Sequence, residues 1–283
     1  MKNILVTGAK GQLGSSIQEL VKGLGLYQFV FTDSETLDIT NEKDISNFFK
    51  ETNFDYCINC AAYTAVDRAE IETELCYKSN AEAVQILAKT CAKHSCILIH
   101  ISTDFIFDGK KNEPYIETDQ PNPLNVYGLS KLKGENYVKE YLDSYFIVRT
   151  SWVYSEYGNN FVKTILKLGE QMERLNVISD QYGSPTYAKD LAEFIIALVH
   201  KDSKDFGIYH FSNRGNISWY DFAKAIIELS NINTTILPIA SKDYKAKALR
   251  PKNSVINTDK AQNFLEKPVK NWKQSLAKCI EKL

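Results

Sequence analysis

The chain has 283 residues, 44% of them apolar, with a formal net charge of −1 at pH 7. That balance fits a soluble globular protein of one large or two modest domains and excludes a disordered chain. Near-neutral charge gives no general field for nucleic acid, and no apolar run approaches the roughly 20 residues of a membrane span. The opening residues pass from a short apolar run directly into glycines, without signal-peptide anatomy, so a cytoplasmic protein is expected.

In chain order, residues 2–7 predict a strand and 12–24 a helix. Residues 28–32 predict a second strand, 41–51 a helix with Asn41 as N-cap, and 55–59 a third strand. A helix is expected over 80–93, with Ala83, Ile86, Leu87 and Thr90 on one side. A fourth strand follows at 96–102, a helix at 126–141 and a fifth strand at 145–149. Continuous apolar runs such as Ile97-Leu98-Ile99 suit strands covered on both faces. Repeated alternation of strand and helix implies an α/β fold with a Rossmann-type, doubly wound parallel sheet over residues 1–150.

After Arg149 the pattern loosens. Helices are expected at 159–170, 188–200 and, behind the N-cap Ser218, at 218–230, with short strands at 176–178 and 207–210. Residues 151–283 therefore predict a smaller mixed α/β substrate-binding region, some of it packing back on the first, with a cleft between. Of six cysteines, Cys57 and Cys60 form a Cys-x-x-Cys pair. They lie in an apolar run that reads as a strand, where residues three apart point to opposite faces. Packing, rather than metal or redox chemistry, is expected of them.

Three patterns carry chemistry. First, Gly8, Gly11 and Gly14 are spaced G-x-x-G-x-x-G between the first strand and the first helix. Gly8 permits a tight turn, Gly11 lets backbone approach a pyrophosphate, and Gly14 lets the helix pack close to the sheet. Asp33, at the end of the second strand, can accept from an adenosine ribose or be a solvated turn residue, and Asp38-Ile39 can instead flank an adenine. NADPH and NADH both stay open. Second, the fourth strand ends in Ser102-Thr103-Asp104, at the sheet edge where ligands bind. A long loop, itself a functional signal, leads from there to the next helix.

Third, Tyr127-x-x-x-Lys131 places a phenol and an ammonium on one helical face. The ammonium is expected to lower the phenol pKa and fit it for proton transfer. Tyr220-x-x-x-Lys224 matches equally well. It is remote from the glycine loop and flanked by Trp219, Phe222 and Ile226, so Tyr220 reads as core.

Together these patterns resemble the extended short-chain dehydrogenase/reductase family. Longer strings narrow the resemblance: Asn59-Cys60-Ala61-Ala62-Tyr63-Thr64-Ala65-Val66-Asp67, Pro123-Leu124-Asn125-Val126-Tyr127-Gly128, Arg149-Thr150-Ser151-Trp152-Val153-Tyr154, Gly158-Asn159-Asn160-Phe161 and Arg250-Pro251-x-Asn253-Ser254. They are similar to the branch that reduces the 4-keto group of dTDP-4-dehydro-L-rhamnose with a nicotinamide cofactor. The similarity runs from Lys2 to about Trp272.

The resemblance implies Tyr127 as proton donor, Lys131 on the nicotinamide ribose and Thr103 on the keto oxygen. It implies Asp104 on a sugar hydroxyl, Trp152 against the sugar, and Asn160 and Arg250 on the nucleotide diphosphate. Gln12 and Leu13 would cover the cofactor pyrophosphate, and Ala61, Ala62 and Tyr63 would line its cleft. Some members pair subunits through Mg²⁺ held by carboxylates, one of them early in the first helix. Here that helix begins Ser15-Ser16, with its first acid at Glu19, so no metal is expected. The partner is then a small nucleotide sugar, with no membrane or nucleic acid, and the protein a monomer or homodimer. A nucleotide-sugar epimerase or 4,6-dehydratase shares the Tyr/Lys pair, and a non-catalytic NADP-binding regulatory subunit shares the fold. A dehydratase needs a second acid after the threonine, where Thr103-Asp104 is followed by Phe105.

Overall fold

The computed structural model describes residues 1–23, 25 and 27–283. Its strands are β1 (Lys2–Thr7), β2 (Tyr27–Phe31), β3 (Tyr56–Asn59), β4 (Ile97–Thr103), β5 (Tyr145–Thr150), β6 (Val153–Tyr154), β7 (Arg174–Ile178), β8 (Tyr182–Gly183), β9 (Thr186–Tyr187), β10 (Gly207–His210), β11 (Ile217–Ser218) and β12 (Thr235–Ile239). Its helices are α1 (Gln12–Val21), α2 (Glu42–Glu51), α3 (Val66–Ala69), α4 (Thr73–Tyr77), α5 (Ala83–Lys93), α6 (Val126–Tyr141), α7 (Phe161–Gln171), α8 (Ala188–His200), α9 (Trp219–Leu229), α10 (Asp259–Leu265) and α11 (Trp272–Ile280).

Six strands form one parallel sheet in the order β10-β5-β4-β3-β1-β2, the expected doubly wound arrangement. The chain steps outward from β1 to β2 and then crosses back to β3 on the other side. The crevice beyond the carboxyl ends of β1 and β3 is therefore the topological switch point, where such sheets hold ligands. One face is covered by α1 and α8, through Leu13, Ile17 and Val21 against Leu191, Ile195 and Leu198. The other face packs Ile45, Phe49, Leu87 and Val138 from α2, α5 and α6. Cys57 belongs to this second layer and Cys60 packs on the first, as the strand alternation requires. A separate apolar cluster joins α7, α9 and α11 beneath β7 and β12.

Side-chain caps account for several helix starts. Asn41 accepts from the Lys43 and Asp44 amides, Asn125 from Gly128, and Asn160 from Lys163. Ser218 and Asp221 form a reciprocal capping box.

The structure departs from the sequence reading at particular places. The first helix ends at Val21, short of the expected 24, and Leu24 lies outside the described residues. The helix expected from Asn80 continues an earlier one: α4 passes through a π-helical turn over Lys78–Glu82 into α5 without a break. That turn brings the Asn80 carbonyl against α6, where a β-carbon on Gly134 would approach it to 2.3 Å. The Asn80 side chain there donates to the Tyr63 carbonyl and accepts from the Tyr63 amide, so it serves the loop rather than the helix. Tyr220 is half-buried and packs against the apolar cluster of α7, α9 and α11, at its margin: α9 buries Phe222, Ala223, Ala225, Ile226 and Ile227, while exposed Lys224 sets its ammonium 5.6 Å from the Tyr220 ring centre. Strands β6, β8, β9, β11 and β12 and helices α3, α4, α10 and α11 are additional to the sequence reading.

Candidate active site

The glycine loop turns where β1 ends. Gly8 has φ +68°, and a β-carbon on it would lie 2.6 Å from the Ala61 amide nitrogen. Only glycine combines that conformation with so close an approach. Gly14 contributes differently from the expectation: a β-carbon there would meet the Gly8 carbonyl oxygen at 2.4 Å and Ala9 Cα at 2.7 Å. It lets α1 close on its own loop, not on the sheet. Helix α1 has no side-chain N-cap and no acid in its first turn. Its leading N–H groups are thus free to meet an anion, which fits a pyrophosphate.

Beside the loop, a cavity of about 710 Å³ is lined by Lys10, Asp33, Asp38, Ile39, Ala61 and Tyr63, among others. Asp33 lies just past β2. Its Oδ1 accepts from the Glu35 and Thr36 amides, and its Oδ2 pairs with the Lys10 ammonium at 2.6 Å. That ammonium holds the carboxyl down at about 2. Lys10 also reaches Glu35 at 2.6 Å, so one exposed cation is shared by two carboxylates. Asp38 accepts from the Thr40 amide and hydroxyl. The Tyr63 hydroxyl turns to Glu72 at 2.7 Å.

Gly11, Cys60 and Ala62 line this cavity and also a second one of about 590 Å³, so the two are halves of one cleft. The second half gathers Thr103, Asp104, Tyr127, Lys131, Trp152 and Arg250, with Gln12, Leu13 and Asn160 at its edge. Thr103 ends β4 and caps the 3₁₀ turn Asp104–Ile106, accepting from the Phe105 amide at 3.2 Å and donating to Asp104 Oδ1 at 3.1 Å. The structure gives it the cap role as well as a place in the cleft. Asp104 is buried, and its Oδ2 has no hydrogen-bond partner among the described residues. Burial pushes its carboxyl up to about 7.

Tyr127 lies in the first turn of α6, and Lys131 follows one turn later on the same face, as spaced. The expected acidification of the phenol is not seen. Burial raises the Tyr127 pKa, the Asp104 carboxylate adds to this, and a hydrogen bond with the Thr103 hydroxyl only partly opposes it. Lys131 Nζ is spent on the Ile101 carbonyl at 2.5 Å, and burial brings its own pKa down to about 8. Desolvation is the largest influence on the phenol and sets the direction of its shift.

Four further residues behave differently from expectation. Gln12 reaches away from the loop, donating to the Val153 carbonyl and accepting from Ser155 and Asn160 side chains, and so ties α1 to the second region. Asn160 is used up in that contact, in the Ser155 carbonyl and in capping α7. Arg250 is clamped by Asp67, with Nη2 at 2.6 Å and Nη1 at 3.1 Å from its two oxygens. Trp152, at φ +47°, stacks face to face on Trp219 with ring centres 3.5 Å apart, so one of its faces is already covered. Trp219 was read only as a flank of core. Its stack on Trp152, from a segment far along the chain, places it at the cleft, and no local pattern records that contact.

The family described as RmlD substrate binding domain matches residues 1–283. The chain is 39% identical to a dTDP-4-dehydrorhamnose reductase from Aggregatibacter actinomycetemcomitans, covering 98% of this chain and 97% of the relative. It is 38% identical to the spore coat polysaccharide biosynthesis protein SpsK of Bacillus subtilis, covering 99% and 98%. The solved dTDP-4-dehydrorhamnose reductase from Bacillus anthracis, in complex with NADP, superposes with a TM-score of 0.95 at 40% identity, covering 100% of both chains. A glycine turn, a strand-end threonine and a helical Tyr/Lys pair around one cleft agree with these full-length matches: the chain belongs to the RmlD substrate-binding-domain family, that of the dTDP-4-dehydrorhamnose reductases.

Proposed function

We propose that the protein reduces the 4-keto group of dTDP-4-dehydro-L-rhamnose to give dTDP-L-rhamnose, using NADPH or NADH. The observation that carries this reading is the second half-cavity, where Thr103, Tyr127 and Lys131 come together in the cleft that continues past Gly11, Cys60 and Ala62 to the glycine loop. The glycine turn and the uncapped start of α1 fit the cofactor pyrophosphate, and the Lys10, Asp33 and Ile39 side fits the adenosine end. A bound nicotinamide supplies the hydride.

The chain supplies the rest. Thr103 orients the keto oxygen, and Tyr127, neutral because of its burial, delivers a proton to the oxygen as charge develops. The Lys131 ammonium then faces the phenolate and holds the nicotinamide ribose. Asp104, with its free Oδ2, takes a sugar hydroxyl. Trp152 and Trp219 wall the sugar site as a stacked pair. The nucleotide diphosphate is met by Arg250, and its approach competes with Asp67 for the guanidinium. Among the described residues no helix is long and apolar enough to cross a membrane; we read the protein as cytoplasmic, a monomer or homodimer.

The test is NADPH consumption with dTDP-4-dehydro-L-rhamnose, with other nucleotide 4-ketosugars as controls. Tyr127→Phe is expected to lower kcat by about 100-fold or more, the usual worth of a general acid. Undiminished turnover in that variant removes the mechanism. Protein that purifies with nicotinamide locked in place, and interconverts sugars without consuming NADPH, is an epimerase instead.

A further inference from the structure

Behind the catalytic helix lies a buried polar network that the reaction scheme above leaves unused. Glu135, one turn beyond Lys131 on α6, is fully buried. Its Oε1 accepts from Ser102 Oγ at 2.6 Å and from Arg149 Nε at 2.9 Å, and its Oε2 accepts from Arg149 Nη2 at 2.7 Å. Ser102 immediately precedes Thr103 in β4, and Arg149 is its register partner in β5. Arg149 Nη1 donates to the Glu117 carbonyl at 3.3 Å, in the long loop after Thr103, and lies 3.4 Å from His210 Nε2 on β10. His210 completes the set: its Nδ1–H donates to the Tyr115 carbonyl at 3.1 Å, which leaves Nε2 to accept from Arg149. Burial brings the His210 pKa down to about 3, so the ring is a neutral spacer.

Buried ion pairs are seldom more stabilising than packed apolar side chains, so stability alone does not account for one here. What the pair does provide is directional contact. Its donors and acceptors tie together α6, β4, β5, β10 and the loop, which between them carry or flank the reacting groups.

We propose that Glu135 is a positioning residue for the reduction, its carboxylate locking the helix that carries Tyr127 and Lys131 to the strand end that carries Thr103. Four residues from Lys131 on the same helix, and so on the same face, the carboxylate also favours the charged form of that lysine. The groups facing that ammonium are Cys60 from the end of β3, Cys76 from α4, His100 from β4, and Tyr127 and Glu135 from its own helix. Burial raises both thiols and pushes His100 well down, so these stay neutral. Glu135 is the anion that favours the charged lysine.

The inference rests on the reductase reading, and its test carries a readout independent of turnover. Two variants separate geometry from charge: Ser102→Ala, which cuts only the tie to β4, and the double change Glu135→Gln with Arg149→Met, which removes both buried charges together. For each, kcat is measured against pH, NADPH affinity is followed against pH by cofactor fluorescence, and folding is followed by thermal unfolding. Ser102→Ala is expected to stay folded and lose about tenfold in kcat, with the alkaline fall in NADPH affinity unmoved. The double variant is expected to lose at least as much, with that fall displaced to lower pH, because a lysine deprived of its anion gives up its proton sooner. Full turnover in Ser102→Ala overturns the positioning role, whether or not the double variant folds. A folded double variant with an unmoved alkaline limb overturns the action on Lys131. A wild-type protein that binds NADPH yet does not reduce the sugar sinks the reductase reading, while the displacement of the binding limb still decides whether Glu135 acts on Lys131.

Discussion

Gly128 sits beside Tyr127 at the start of α6, and a β-carbon on it would lie 2.2 Å from the Phe105 carbonyl oxygen and 2.9 Å from Pro123 Cβ. Carbon contacts ordinarily begin near ~3.5 Å, so Gly128→Ala must push the helix start about 1 Å away from the 3₁₀ turn that Thr103 caps. Two effects on stability oppose each other. Alanine in place of glycine gains about 1 kcal/mol within a helix, and the overpacking costs about 1–3 kcal/mol. The net loss, about 0–2 kcal/mol, lies below the ~5–15 kcal/mol that typically holds a native protein together. Catalysis has no such margin, because a displacement of about 1 Å between reacting groups is worth about 100-fold in rate. The expected variant is folded, with a modestly lower urea midpoint and kcat reduced about 100-fold for NADPH consumption with dTDP-4-dehydro-L-rhamnose. Wild-type turnover in Gly128→Ala would refute the reasoning. So would a loss of activity that merely tracks the unfolded fraction.

Asp104→Asn should raise the thermal midpoint above about pH 7 and leave it unchanged near pH 4. The wild-type carboxyl, lifted to about 7 by burial, is neutral at low pH and becomes a buried anion as pH rises. Turnover should fall in the same variant through loss of a sugar contact, and a midpoint difference that does not grow with pH contradicts the burial argument. In the wild type, kcat should decline as pH passes about 8, where Lys131 loses its charge; a flat profile through that range removes the requirement for the ammonium. Arg250→Gln is expected to raise KM for the nucleotide sugar with kcat little changed, and an unaltered KM would mean that Arg250 stays with Asp67 throughout. Lys10→Met should weaken NADPH binding more than NADH binding, since it leaves Asp33 and Glu35 unneutralised on the adenosine side. Equal losses for the two cofactors would place the ribose elsewhere.

The nucleotide half was legible because its signals are local. Each strand of the doubly wound sheet is a short apolar run, and the glycine spacing and the Tyr/Lys spacing each sit within a single turn. The helices from Val126 to Tyr141 and from Ala188 to His200 lie where the apolar pattern puts them. What escaped was set by contacts between distant segments. The clamp on Arg250 comes from Asp67, 183 positions away, and the partner of Trp152 is Trp219 from another helix. The π-helical turn ahead of α5, where Asn80 bonds the Tyr63 backbone, likewise leaves no mark in the periodicity. The phenol pKa is not legible for a related reason: a spacing reports proximity of charge but not the loss of water around it, and here burial prevails.

The edge strand β10 comes from residues 207–210 yet completes the sheet that β1 begins, and α8 lies against α1. A fragment ending at residue 150 would leave β5 with a bare edge and α1 with a bare apolar side, an invitation to pair with other chains. Swapping whole C-terminal halves between relatives would therefore exchange structural support along with the cleft wall. Changes to the cleft wall are better introduced piecemeal, at Trp152, Trp219 and the segment around Arg250, with the sheet edge and the α1–α8 contact left in place.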